Sequence, residues 1–171
     1  NQLGLSAVNQ GGTSLNPPDA DTRDTLLQVV DAQTGGLRTS ARTPASIVAV
    51  AGGRAAVLSP EAEDASVTNG DGDRLDQVAQ VYDAHADVLT SLGVAAERIA
   101  ISEEVVCVAV PEAGQPGASN GDGDTDDAVL AFWRIGQPAE SLVLTGYTVD
   151  RDPDTLALGA LGPHCVFLSH E

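Results

Sequence analysis

The sequence predicts an all-β protein made of tandem four-stranded antiparallel units, and three observations carry that prediction. Asn69-Gly70-Asp71-Gly72-Asp73 recurs as Asn120-Gly121-Asp122-Gly123-Asp124, 51 residues later. Each copy leads into a short apolar run, Gln77 to Tyr82 in one case and Ala128 to Trp133 in the other. The runs between these points are short, rich in valine and isoleucine, and bounded by glycine, proline or aspartate. That pattern favours strands joined by tight turns. Recurrence near 50 residues marks a repeat architecture, in which each unit buries its apolar face against its neighbours.

The elements follow in order. Residues 1–15, with the apolar piece Leu3 to Val8, read as the tail of a preceding unit. Unit 1 spans 16–67. Its expected strands are Thr25 to Val30, Leu37 to Ser40, Ser46 to Val50 and Arg54 to Ser59. Gly52-Gly53 supplies a hairpin turn, and Pro60 stops the last strand because proline donates nothing to a ladder. Unit 2 spans 68–118, with strands Gln77 to Tyr82, Val88 to Leu92, Arg98 to Ile101 and Val105 to Val110, stopped by Pro111. Unit 3 spans 119–171, with Ala128 to Ile135, Ser141 to Leu144, Thr155 to Leu158 and Cys165 to Ser169. A helix over Asp76 to Leu92 competes on propensity, but the parallel β-branched segments of the other units argue against it.

Charge narrows the function classes. There are 25 acidic and 8 basic residues, a formal net charge of −17, and every basic residue is arginine. Such a surface repels itself in dilute buffer and is screened at molar salt, where the Debye length falls to about 3 Å. The composition resembles the proteome of an extreme halophile; an acidic, calcium-loaded extracellular protein of a GC-rich bacterium is the alternative. Nucleic acid and anionic lipid are excluded as expected partners, since both need a basic patch. No apolar run approaches the roughly 18 residues of a membrane-spanning helix. The chain opens at Asn1, so the lack of a visible secretion signal carries no weight.

Cys107 and Cys165 sit in apolar runs, where buried thiols are the default. Aligning Pro111-Glu112 on His170-Glu171 puts them at adjacent positions on opposite faces of equivalent strands. A disulfide therefore requires those two faces to meet between units.

The acidic loops are the candidate chemistry. Their Asn-Gly-Asp-Gly-Asp core resembles the calcium loops of integrin-type β-propeller repeats and of EF-hand-like loops, in which oxygen ligands recur around a sharply turning glycine. The four-strand period likewise resembles a propeller blade. The resemblance implies a partial β-propeller or a stacked-sheet repeat array that binds Ca2+. Carried over by position, the third-unit ligands are Asn120, Asp122, the backbone carbonyl of Asp124, and Asp126, with Asp127 beside them. The second unit supplies Asn69, Asp71 and Asp73, and Asp76 has to reach in because Leu75 holds the ninth place. On that basis the third-unit loop is expected to bind more tightly. Both loops carry an apolar residue, Val67 or Ala118, where the family has its first aspartate. The first unit keeps Asp19, Asp21 and Asp24 but has Pro17-Pro18 at the turn, which predicts a poor site.

Other chemistry is thin. His85, His164 and His170 lack zinc-site spacing, Ser102-Glu103-Glu104 reads as a turn, and Trp133 reads as packing. With no nucleophile, base and orienting group together, the expectation is a non-catalytic module. Its expected setting is extracellular: a cell surface, a filament or a virion of a halophile. Its expected partners are other protein chains, or copies of itself, joined through the end strands. The alternative is the propeller portion of a secreted hydrolase or lyase.

Overall fold

The computed structural model describes residues 25–38, 43–63, 67–152 and 158–169. The apolar piece Leu3 to Val8 and the first-unit aspartates lie outside that set. The described chain is all-β, as predicted, with one 3-10 turn at Ala139–Ser141. No described helix is long and apolar enough to cross a membrane.

Sheet I contains β3 (Ile47–Ala51), β4 (Arg54–Pro60), β5 (Gln77–Asp83) and β6 (Val88–Ala95), paired in that order. β3 turns into β4 through Gly52 and Gly53, whose φ angles of 54° and 75° suit glycine. β5 turns into β6 after Asp83, whose Oδ1 accepts the backbone N–H groups of His85 and Ala86 at 2.8 and 3.0 Å. β4 and β5 pair along their whole length, from Arg54 opposite Asp83 to Pro60 opposite Gln77. Sheet II repeats this with β7 (Arg98–Ile101), β8 (Val105–Pro111), β9 (Ala128–Arg134) and β10 (Val143–Val149). Two-stranded pieces flank them: β1 (Val29–Val30) with β2 (Leu37–Arg38), and β11 (Leu158–Leu161) with β12 (His164–Phe167).

The sheets are displaced by half a unit from the sequence period. Each is assembled from the second hairpin of one unit and the first hairpin of the next, so the acidic loop joins its two middle strands. The ends differ from the expected strands. Thr25 to Val30 contributes only Val29–Val30 as strand, with Leu26 in an isolated bridge to Pro44. The last hairpin turns at Gly162-Pro163 between Leu158–Leu161 and His164–Phe167, and the expected start of its first strand at Thr155 lies outside the described residues.

The sheets stack face to face, which explains why the middle strands are continuous apolar runs. Leu58, Ala79 and Val81 of sheet I pack with Val106, Val108 and Trp133 of sheet II. The opposite face of sheet I covers Leu27 and Ala45 with Val57 and Tyr82. Beyond sheet II, Ala109 and Leu130 pack with Leu158. Trp133 is buried as a packing residue, and its indole N–H donates to the Pro138 carbonyl at 3.0 Å. The first strands of successive sheets are neighbours: β3 meets β7, and β7 meets β11.

Stacking also settles the cysteines. β12 lies against β8, so the two faces do meet, and Cys107 is bonded to Cys165 with 5.7 Å between their Cα atoms. The default of two buried thiols gives way to a disulfide between sheet II and the final hairpin.

Candidate metal centres

Each acidic loop is a ladder of side-chain-to-backbone bonds two residues apart. In the second-unit loop, Asn69 Oδ1 accepts the N–H of Asp71, Asp71 Oδ1 that of Asp73, and Asp73 Oδ1 that of Leu75, at 2.8–3.0 Å. In the third-unit loop the same ladder runs from Asn120 to Asp122, Asp124 and Asp126, at 2.9–3.1 Å. The intervening glycines make it possible. Gly70 and Gly72 have φ of 86° and 100°, and Gly121 and Gly123 have 91° and 100°, values that side chains resist. One oxygen each of Asp71, Asp73, Asp122 and Asp124 is thereby held by the backbone, and the other is left free of it.

Two four-carboxylate groups result, each with ligand oxygens within 4.8 Å of one another: Glu61, Asp71, Asp73 and Asp76, and Glu112, Asp122, Asp124 and Asp127. Asp126 stands outside its group. The true equivalent of Asp76 is Asp127, so the contrast between Asp126 and Leu75 does not separate the loops. Leu75 is simply exposed.

The glutamates are the residues that sequence reasoning missed. Each follows the proline that ends a strand, in the recurring triplet Pro60-Glu61-Ala62 and Pro111-Glu112-Ala113, again 51 residues apart. That recurrence was the available signal. Glu61 is 0% exposed and Glu112 6%, a rare condition for a carboxylate. One oxygen of each is used, Glu61 Oε1 by the Asn69 N–H at 2.8 Å and Glu112 Oε1 by the Asn120 N–H at 2.5 Å. The second oxygen, Oε2, is buried without a hydrogen-bond partner in both. A buried polar atom left unpaired costs on the order of 1–3 kcal/mol, and more when charged. The carboxylate missing at Val67 and Ala118 is thus supplied six residues upstream, while Val67 and Ala118 are themselves buried.

The asparagine amides mark the centre of each group. Asn69 Nδ2 lies 3.3 Å from Asp71 Oδ2, 2.8 Å from Asp76 Oδ2 and 2.7 Å from the Gly114 carbonyl. Asn120 Nδ2 lies 2.9 Å from Asp122 Oδ2, 2.7 Å from Asp127 Oδ2 and 3.3 Å from Thr148 Oγ1. An amide nitrogen has two hydrogens, so three converging oxygens exceed what it can satisfy.

Crowding shows in the titration of the group. Burial, then the Asp71 carboxyl, pushes Asp76 above the ordinary aspartate range. Burial, then the charges of Asp122 and Asp124, does the same to Asp127. Asp71 is held low, chiefly by the Asp73 N–H, and Asp122 by the Asn120 amide and then the Asp124 N–H. Each loop therefore pairs one readily ionised aspartate with one that resists ionisation beside it. A hard divalent cation relieves that conflict, and oxygen-only donors match Ca2+ or Mg2+ rather than a softer metal. Among the described residues, His85 and His164 take no part in either group. Comparison with family models, curated proteins and solved structures finds no match for this chain.

Proposed function

We propose that the chain is a non-catalytic, extracellular structural or binding module whose sheets are each pinned across the middle by calcium. The observation that carries this reading is the buried, unpartnered Oε2 of Glu61 and of Glu112, each beside three aspartates of a loop. The residues fit the ion: four carboxylates, an asparagine and a nearby carbonyl or hydroxyl approach the six to eight oxygens that calcium takes. A disulfide supports an oxidising compartment. The net charge of −17 supports a high-salt habitat. Adjacency of β3, β7 and β11 supports a radial, propeller-like arrangement of the sheets.

The partner in this reading is another protein strand, from a different chain or a second copy. β4 and β8 pair on both sides, whereas β12, their counterpart, pairs only with β11 among the described residues. Val166 of β12 is exposed, as is Tyr147, whose ring lies 6.2 Å from that of Phe167 in β12. A free edge of this kind is a template for strand addition.

The test uses isosteric variants, Glu61→Gln and Glu112→Gln. Each is expected to weaken calcium binding at its own loop by at least roughly tenfold, about 1.4 kcal/mol, in calorimetric titration. The metal-free protein is expected to gain thermal stability in both variants, because an amide can donate to the aspartates the glutamate repels. Calcium affinity unchanged in both variants, or no binding by the wild type, refutes the calcium reading.

A further inference from the structure

The first metal centre is not confined to its own sheet. Its Asn69 amide takes the Gly114 carbonyl at 2.7 Å, and Gly114 belongs to the turn that follows β8 in sheet II. A Cβ built on Gly114 would lie 2.8 Å from Asp76 Oδ1, so the turn backbone sits directly on the Asp76 carboxylate of the first centre. The same turn anchors the second centre. Pro111 O accepts the Gly114 N–H at 3.2 Å, closing a four-residue turn that also contains Glu112. The Glu112 N–H is fixed by Asp127 O at 3.0 Å, and its Oε2 is the buried unpartnered oxygen of the second group.

We infer that the Gly114 carbonyl is a ligand of the first calcium centre, contributed across the sheet boundary, and that the Pro111–Gly114 turn couples the two centres. This rests on the calcium reading above. Glu112 faces one ion and the Gly114 carbonyl the other, two residues apart on one closed turn. An ion at the second centre gives Glu112 Oε2 a partner and fixes the turn. The Gly114 carbonyl is then already in place for the first centre, whose ion has less ordering to impose. Linkage makes the effect reciprocal, so each ion raises the affinity for the other by the same factor. The second centre has no such cross-sheet carbonyl among the described residues; its sixth oxygen is Thr148 Oγ1, from β10 of its own sheet.

The experiment is calcium titration of the full chain by calorimetry at fixed molar KCl, for wild type, Asp122→Asn/Asp124→Asn and Gly114→Ala. The double variant removes ligands of the second centre at exposed positions, without touching the turn. Wild type is expected to bind two ions with positive cooperativity, the second about tenfold tighter than the first. The double variant is expected to bind one ion, about tenfold more weakly than the first centre binds in the doubly loaded wild type. Gly114→Ala is expected to weaken the first centre and to leave one uncoupled ion at the second. If circular dichroism shows the double variant unfolded, Asp122→Asn alone, which also lies outside the turn, gives the same reading. Two independent ions, with first-centre affinity unchanged within twofold when the second is lost, overturn the coupling and leave the calcium reading standing. Absence of binding in wild type at any concentration overturns both.

Discussion

Replacing Cys107 and Cys165 by alanine is expected to lower the unfolding free energy by about 4 kcal/mol. The bridge closes a loop of 58 residues, and the chain-entropy relation assigns a loop of that length about 4 kcal/mol of restriction on the unfolded state. The loss is large against the roughly 5–15 kcal/mol that a domain has in total. It should fall unevenly, because the bridge ties β8 of sheet II to β12 while sheet I has no cross-link. Urea titration followed by Trp133 fluorescence, with and without reductant, measures it. The oxidised wild type should unfold at higher urea than both the reduced protein and the double alanine variant. Coincident curves would show that the bridge contributes nothing.

The second large effect is that of salt. With −17 formal charges and no lysine, the folded chain is expected to melt or expand near 0.1 M KCl and to be fully folded near 3 M. Over that range the Debye length falls from about 10 Å to under 3 Å, which removes most of the repulsion among exposed carboxylates. Among the described residues, Arg54 pairs with Asp83 at 2.8 Å and Arg151 with Glu97 at 2.9 Å, both in partly exposed positions. Exposed pairs contribute little and weaken with salt, so they do not reverse the trend. Millimolar calcium is expected to shift the melting midpoint toward lower salt, since it neutralises the two most concentrated groups of charge. Circular dichroism with light scattering across the series measures this. Equal stability at both ends of the series would rule out the halophilic reading.

Strands and turns were legible in the sequence because their causes are local. Valine and isoleucine runs stopped at Pro60 and Pro111, paired glycines at 52 and 53, and the 51-residue period all act within a few residues. The grouping of hairpins into sheets was not. β4 and β5 belong together only because the chain returns through sixteen intervening residues, and nothing local distinguishes that from a link between separate units. Three of the four carboxylates in each acidic group were legible for the same reason. Asp71, Asp73 and Asp76 lie in one loop, whereas Glu61 reaches them from the far side of the turn after β4. The disulfide lay in between: the sequence placed the cysteines at adjacent positions on opposite faces of equivalent strands, and only the stacking of β12 on β8 brought those faces together.

The bridge has a mechanical consequence. If the chain is pulled from its two ends, tension reaching Cys107 crosses directly to Cys165, and everything between them drops out of the load path. β9, β10, β11 and the third-unit loop then hang as an unloaded ring, while sheet I bears the full force and is the part that unravels first. Reducing the bond would release the ring as slack of roughly 200 Å, at about 3.4 Å for each of the 58 residues. In an assembly anchored at both ends, the oxidised chain is therefore short in reach, and its second group of carboxylates is shielded from stretching.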